Sequence, residues 1–222
     1  FLSSRLPTST EVLSRAGTLS SRAGLPLVAN SMAHSERPVL IVGSQSMSRA
    51  GEVDELARAV DSLGIPVYLA GMARGLLGRD HPRQMRRGRS AALKKADLVI
   101  LAGVPCDFRL NYGRQINRNA TVVSVNSSLK ELFANRLPTI PLLTHPGAFL
   151  IELAKTNARP RADLSSWFES LASGDSRGDA TCLSSCEHVD PMFLGHEIDR
   201  AMDDKDSVVI VDGGDFVATA SY

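Results

Sequence analysis

Short apolar runs that end in glycine or asparagine alternate with amphipathic segments along the middle of this chain, and this alternation is what most constrains its fold. Residues 39–42 and 98–102 are continuous apolar runs that stop at Gly43 and Gly103, a pattern typical of strands buried on both faces. Similar runs predict three further strands, at residues 66–70, 121–125 and 139–143. The sequence therefore predicts an open parallel α/β sheet with helices on both faces, over residues 36–156.

The segments between these runs have the spacing of helices. Apolar residues recur every three or four positions over residues 53–63, where Ser48 is the expected N-cap and Gly64 the expected stop. Further helices are predicted at residues 90–95, 130–135 and 147–155. Most strands are thus separated from the next by a helix, a pattern that predicts parallel pairing.

The two ends of the chain differ from this middle part. Residues 1–35 are rich in Ser, Arg and Gly, and we expect a poorly ordered connecting segment there, with a transit peptide as the alternative. Because the chain starts with Phe1 and not with Met, we expect it to be an interior piece of a longer polypeptide.

The carboxy-terminal part suggests a linker and then a new domain. Residues 157–189 are mostly polar and favour a linker with one short helix around Leu164, Trp167, Phe168 and Leu171. Residues 190–222 predict a helix, an apolar strand and a Gly-Gly turn, which we interpret as the truncated start of a second α/β domain.

Composition excludes several classes of protein. The 25 Lys and Arg nearly balance the 24 Asp and Glu, so the overall charge gives no reason to expect a nucleic-acid partner. Three cysteines make a disulfide framework improbable. Because no apolar run reaches about 18 residues, we expect no membrane-spanning segment in this chain.

The loops after the strands are the expected ligand site, because open parallel sheets bind ligands at the carboxyl ends of their strands. Glycine at these positions allows a close approach to the backbone. Residues 74–95 also carry eight Arg and Lys against one Asp, and arginine suits phosphate. A solvated loop and helix face is the alternative for this basic segment.

Other candidate groups have weaker patterns. Cys182, Cys186 and His188 lack the spacing of a zinc site. Cys106 has no assignable base, which favours a packed residue over a nucleophile. His81 precedes a proline, where a turn or capping role competes with catalysis. We therefore assign no catalytic residue and no metal ligand within this chain.

Three motifs resemble a known family: PVLIVG at 38–43, GMARGLLGRDHP at 71–82 and ADLVILAG at 96–103. Together with CDFRL at 106–110 and VDGGDFV at 211–217, they are similar to the central domain of thiamine-diphosphate-dependent enzymes of the acetolactate synthase-like and 2-hydroxyacyl-CoA lyase type. The resemblance covers about residues 25–222. It implies a Rossmann-like central domain between a pyrimidine-binding and a diphosphate-binding domain.

The resemblance also implies cofactor sites. Relatives hold FAD or the ADP part of coenzyme A on the central sheet, which implies that role for eight residues here: Gly43, Ser44, Gly71, Arg74, Gly75, Asp107, Arg109 and Asn126. By the same likeness, the turn at Gly214, Asp215 and Phe216 lies near the phosphates of thiamine diphosphate. The activating glutamate and the magnesium ligands of such enzymes would lie outside this chain, so we expect the fragment to be inactive alone.

The implied function of the parent is a thiamine-diphosphate- and Mg²⁺-dependent lyase that cleaves a 2-hydroxyacyl-CoA to an aldehyde and formyl-CoA. An acetolactate synthase-type carboligase acting on 2-keto acids is the alternative enzyme, and a nucleotide-binding module without chemistry is the alternative of another class. The resemblance further implies a homodimeric or homotetrameric parent at the endoplasmic reticulum membrane.

Overall fold

A five-stranded parallel sheet with the order β2-β1-β3-β4-β5 forms the centre of the molecule in the computed structural model, which describes residues 20–78, 80–179 and 191–202. The strands are β1 (Pro38–Val42), β2 (Val67–Leu69), β3 (Leu98–Ala102), β4 (Thr121–Asn126) and β5 (Ile140–Leu143). All four neighbouring pairs are parallel. The predicted open parallel α/β sheet is confirmed.

Seven helices of this described part are α1 (Ser21–Ala33), α2 (Val53–Ser62), α3 (Arg89–Lys95), α4 (Leu129–Leu132), α5 (Pro146–Lys155), α6 (Ser165–Asp179) and α7 (Pro191–Met202). The helices predicted between the strands are therefore present, with ends that differ by a few residues. Helix α2 begins after Glu52 rather than after Ser48, because residues 50–52 form a separate 3-10 turn.

Alternate residues of the central strands enter two different cores. Leu40 and Val42 pack with α1, α2 and α5 on one face of the sheet, whereas Val39 and Ile41 pack with α3 and the first turns of α6 on the other. Every residue of β1 and β3 is buried. This two-sided burial explains why the strands are continuous apolar runs rather than alternating ones.

Residues 21–33 correct the expectation of a poorly ordered amino-terminal segment. They form α1, which is capped by Ser20, and its residues Val28 and Met32 are fully buried against the core. Gly24 packs so closely on the Leu142 side chain that a Cβ there would overlap it. Burial of this face outweighs the poor helix propensity of Gly24 and Pro26.

The amino-terminal ends of β1 and β3 are fastened together by one carboxylate. Asp97 accepts hydrogen bonds from the backbone N–H groups of Glu36 and Arg37, at 2.8 and 3.1 Å. It also accepts one from the hydroxyl of Ser35, a buried residue. In return, its own backbone N–H donates to the carbonyl of Arg37.

The chain divides into two compact units, residues 1–171 and 172–222. In the first unit, the helix expected around Trp167 is confirmed as the start of α6, and the Trp167 indole donates to the carbonyl of Pro38 at 3.0 Å. In the second unit, the helix predicted after residue 190 is confirmed as α7. The strand and Gly-Gly turn predicted after it lie outside the described residues.

Candidate functional site

The order of the strands creates a crevice at the carboxyl ends of β1 and β3. The chain leaves β1 for β2 on one side and then crosses to β3 on the other, and ligands of open parallel sheets bind at such a switch point. A cleft of about 290 Å³ lies here. Its lining comes from the loops after β1, β2 and β3, the start of α3, and α4: Gly43, Ser44, Gln45, Ala70, Gly71, Arg74, Arg89, Gly103, Val104, Pro105, Arg109, Leu110 and Glu131.

The residues assigned to a nucleotide by resemblance divide into two groups. Five of the eight line the cleft: Gly43, Ser44, Gly71, Arg74 and Arg109. The other three are Asp107, which pairs with Arg109, Gly75, which is exposed in the β2 loop, and Asn126, which is fully buried. Asn126 lies behind the cleft lining, where its Nδ2 is 3.5 Å from Oε2 of Glu131, and its assignment to a ligand stays a prediction.

Glycines of the cleft are required mainly by the packing of one loop on another. A Cβ at Gly43 would overlap the Val104 side chain and lie 2.5 Å from the carbonyl oxygen of Gly103. A Cβ at Gly71 would overlap the Ser44 hydroxyl, and Gly71 also has a left-handed backbone with φ of +56°. From the sequence, glycine was expected to make room for a ligand, whereas the atoms that require it at Gly43 and Gly71 belong to the protein itself.

The β1 loop is bonded to the loops on both sides of it. The Ser44 hydroxyl accepts a hydrogen bond from the backbone N–H of Met72, at 3.1 Å. The Ser46 hydroxyl donates to the carbonyl of Ala102 at the end of β3, at 3.0 Å. These contacts hold the loops after β1, β2 and β3 together at the floor of the cleft.

Three arginines bring positive charge to the cleft from different elements. Arg74 lies in the β2 loop, Arg89 at the start of α3 and Arg109 in the β3 loop. Arg89 donates through Nη2 to the carbonyl of Arg109, at 2.9 Å. Arginine donors in a partly enclosed cleft suit the oxygens of phosphate groups.

Arg109 is held in place by two neighbours. Its Nε lies 3.0 Å and its Nη2 2.5 Å from Oδ2 of Asp107, and its guanidinium carbon lies 5.7 Å from the centre of the Phe108 ring. The hydrogen bond from Arg109 lowers the pKa of the Asp107 carboxyl, against the opposing effect of partial burial. Asp107 therefore stays ionised and orients Arg109 at the cleft.

The basic segment at residues 74–95 is not a single surface. Arg74 and Arg89 line the cleft, whereas Arg83 pairs with Asp61 on α2. His81 also contacts Asp61, through Nε2 at 3.2 Å, and its Nδ1 accepts from the backbone N–H of Arg83 at 3.3 Å. His81 thus has a turn role, and charge alone overestimates how much of this segment faces a ligand.

Glu131 is a charged residue of the cleft lining that was not predicted from the sequence. Its Oε2 accepts a hydrogen bond from Nε2 of Gln45 at 2.6 Å, and Nδ2 of Asn126 lies 3.5 Å away. Gln45 is fixed in turn, because its Oε1 accepts from the backbone N–H of Ser127 at 3.0 Å. Glu131 is 86 residues from Gln45 in the chain, so only the folded topology brings them together.

His145 connects the cleft floor to α5. Its Nδ1 accepts from the backbone N–H of Ala148 at 3.1 Å and caps the helix. Its Nε2 lies 2.8 Å from the Ser48 hydroxyl, which donates to the carbonyl of Gln45. Because Nδ1 is an acceptor, the neutral ring carries its proton on Nε2. Burial lowers the pKa of His145, and nearby Arg49 lowers it further while Glu52 opposes the shift.

The remaining chemical candidates from the sequence are Cys106 and the possible metal ligands. Cys106 is buried, and burial raises the pKa of its thiol to about 11, which agrees with a packed residue. No group of three or more His, Cys, Asp or Glu side chains among the described residues has the arrangement of a metal site. Cys182, Cys186 and His188, together with the turn at Gly214, Asp215 and Phe216, lie outside those residues. Every described helix is too short or too polar to cross a bilayer.

Comparison with known proteins identifies the architecture that surrounds this cleft. The model of the thiamine pyrophosphate enzyme central domain matches residues 26–153, which include all five strands. The chain is 38% identical over 200 residues to 2-hydroxyacyl-CoA lyase 2 of Mus musculus, covering 86% of this chain and 31% of that protein. The Homo sapiens 2-hydroxyacyl-CoA lyase 2 is 36% identical with the same coverage.

A second kind of relative shares the same region. An acetolactate synthase large subunit of Mycobacterium tuberculosis is 30% identical over 215 residues, covering 90% of this chain and 37% of that protein. The chain thus spans about a third of the length of the curated relatives that it matches.

Proposed function

Because this chain belongs to the thiamine pyrophosphate enzyme family, whose central domain it contains, we propose that the cleft between β1 and β3 binds the phosphates of an adenine nucleotide. The ligand is either FAD or the ADP part of coenzyme A. The parent enzyme that uses this domain is a thiamine-diphosphate- and Mg²⁺-dependent lyase that converts a 2-hydroxyacyl-CoA into an aldehyde and formyl-CoA.

The observation that carries the nucleotide proposal is the convergence of Arg74, Arg89 and Arg109 on a cleft at the switch point of the sheet. Their guanidinium groups would donate to phosphate oxygens, while the rigid floor below Ser44 keeps the ligand at a fixed depth. At about 290 Å³, the cleft is at the small end of ligand sites. It fits a diphosphate and its attached sugar better than a whole dinucleotide.

The lyase proposal is supported by relatives named 2-hydroxyacyl-CoA lyase 2 at 36–38% identity. In such a reaction the bond between the carbonyl carbon of the thioester and the carbinol carbon breaks. The carbinol loses its hydroxyl proton and leaves as the aldehyde, and a proton adds to the carbonyl carbon to give formyl-CoA. Thiamine diphosphate, when bound, supplies the electron sink for this cleavage. The part of Arg74, Arg89 and Arg109 is to bind and orient a nucleotide, without transferring a proton.

Titration calorimetry of the chain with ADP, FAD and CoA tests the proposal. The double variant Arg74→Gln/Arg89→Gln should weaken nucleotide binding by about ten-fold or more, since each hydrogen bond to a charged group contributes about 1.5–3 kcal/mol. Lys94→Gln/Lys95→Gln is the matched control, because both lysines belong to the basic segment but are exposed on α3, outside the cleft lining.

Two results would contradict the nucleotide proposal: no binding of any of the three compounds to the original chain, or equal weakening in the arginine and lysine variants. Thermal unfolding of both variants, followed by circular dichroism, separates loss of binding from loss of fold.

An acetolactate synthase-type carboligase is the second candidate, favoured by the relative from Mycobacterium tuberculosis. A turnover assay of the whole protein, with 2-hydroxyacyl-CoA in one reaction and pyruvate in another, discriminates the two. Release of formyl-CoA supports the lyase, and formation of acetolactate supports the carboligase.

A further inference from the structure

The cleft has two electrically different sides. Arg74, Arg89 and Arg109 enter it from the side of β2 and β3, whereas Glu131 enters from α4, beyond β4. Arg109 is near enough to Glu131 for the carboxylate to raise the pKa of the guanidinium, although its pairing with Asp107 has the larger effect. A ligand that fills the cleft should therefore place phosphate beside the arginines and a hydrogen-bond donor beside Glu131.

The Glu131 carboxylate is presented to the cleft in a fixed orientation. Its Oε2 is held by the amides of Gln45 and Asn126. The Asn126 amide is itself oriented, because its Oδ1 accepts from the backbone N–H of Ser128 at 2.8 Å. No hydrogen bond reaches Oε1 of Glu131 from the part of the chain that the structure describes. One oxygen thus anchors the carboxylate, and the other remains able to accept a hydrogen bond from a ligand.

We propose that Glu131 binds the free hydroxyl groups of the ligand's ribose and that it selects against a ribose that carries a phosphate. This inference rests on the nucleotide proposal above and specifies the class of nucleotide. An ionised carboxylate only accepts hydrogen bonds, so it pairs well with the two hydroxyl donors of a ribose diol. A phosphate in place of one hydroxyl removes a donor and brings two like charges together.

Neighbouring groups give such a phosphate little compensation. Arg109, the cation whose charge Glu131 influences, donates to Asp107 through both Nε and Nη2, and its remaining donors are the ones assigned above to the diphosphate of the ligand. The amides of Gln45 and Asn126 donate to Glu131 itself. The site therefore favours a nucleoside diphosphate with an unmodified ribose, as in the ADP part of FAD, over the 3′-phosphorylated ADP part of coenzyme A.

The test compares two ligands that differ by one phosphate, ADP and 3′-phospho-ADP, by calorimetry on the full chain. The original chain should bind ADP about ten-fold more tightly than 3′-phospho-ADP, because a hydrogen bond to a charged acceptor is lost and a repulsion is gained. In Glu131→Gln, which keeps the shape and removes the charge, the two affinities should become nearly equal. Glu152→Gln is the matched control, since Glu152 is an exposed carboxylate on α5 that pairs with Lys155.

The ratio of the two affinities is the decisive quantity, because a partly unfolded preparation lowers both measured capacities without changing the ratio. An unchanged ratio in Glu131→Gln, or a preference of the original chain for 3′-phospho-ADP, would overturn the role of Glu131 while leaving the nucleotide site intact. Failure of both ligands to bind the original chain would overturn the nucleotide proposal and this inference with it.

Discussion

Strands β1 and β3 have a carboxylate group near each of their ends, and the two carboxylates have different partners. The amino-terminal ends of the strands are called the amino edge of the sheet, and the carboxyl-terminal ends the carboxyl edge. At their amino-terminal ends, the Asp97 carboxylate accepts hydrogen bonds from three groups of the protein: the Ser35 hydroxyl and the backbone N–H groups of Glu36 and Arg37. At their carboxyl-terminal ends, Glu131 lines the cleft, and its carboxylate is held by Gln45 and Asn126 through one oxygen.

The difference separates polar groups that hold the fold from polar groups that are available to a ligand. A carboxylate whose lone pairs face backbone donors contributes to stability, because its loss leaves those donors without partners. A carboxylate that is held by side-chain amides through one oxygen is different, because replacing it by a neutral amide should lower the free energy of unfolding only slightly. Substitutions at the amino edge should therefore change the free energy of unfolding, and charge substitutions at the cleft should change binding.

The largest effect on stability should come from Gly43. This residue lines the cleft, but it is required for the packing of the β1 loop, so its substitution should lower the free energy of unfolding. Gly43→Ala would drive a Cβ into Val104 and the Gly103 carbonyl. Because one of the two clashes is with backbone, the loss should lie at the upper end of the overpacking range, at about 3 kcal/mol. Urea unfolding measures the loss. Gly51→Ala is the control, since no atom lies within 4 Å of a Cβ at that position. Equal stability of the two variants would show that the β1 loop can move away from the β3 loop.

A smaller loss is expected at the amino edge. Asp97→Ala leaves the Ser35 hydroxyl and two backbone N–H groups without their acceptor, which should lower the free energy of unfolding by about 2 kcal/mol. Glu152→Ala provides the exposed control, and its effect should be slight. Nucleotide affinity should stay the same in Asp97→Ala. If Asp97→Ala had an unchanged free energy of unfolding but a weakened nucleotide affinity, the division into a structural and a ligand-binding edge would be wrong.

Most of the fold could be predicted from sequence because the central strands are buried on both faces, which produces continuous apolar runs such as residues 98–102. Helix α1 was missed for the opposite reason. Gly24 and Pro26 disfavour a helix locally, and the packing of Val28 and Met32 on the sheet decides the structure. That packing involves β5, which lies more than 100 residues further along the chain. A contact over this distance cannot be predicted from the local spacing of apolar residues.

The site was predictable to the extent that it depends on strand ends. Gly43 and Gly71 mark where β1 and β2 stop, so the loops could be located from sequence. Glu131 could not, because it lies on a four-residue helix and becomes a cleft residue only through its contact with Gln45. Asn126 was placed correctly at the end of β4, but its burial behind Glu131 is a property of the packed structure.

The smallest effect should appear as a pH dependence at His145, on the floor side of the cleft. Its pKa is lowered in the folded chain, so the unfolded chain, with a His pKa of about 6.5, binds more protons. The stabilising contribution is complete above that value and is lost as the pH falls through it towards the folded pKa. Burial of the ring is the main cause of the lowered pKa, and the nearby positive charge of Arg49 adds to it while Glu52 opposes it.

His145→Asn tests this dependence, because Asn is a good N-cap that does not titrate. Urea unfolding at pH 7.5 and pH 5.5 should show a smaller acid loss of stability in the variant than in the original chain. His34→Asn, at an exposed position, should behave like the original chain. If His145→Asn and the original chain lose equal stability on acidification, protonation of His145 is not the cause of that loss, and other titrating groups must produce it.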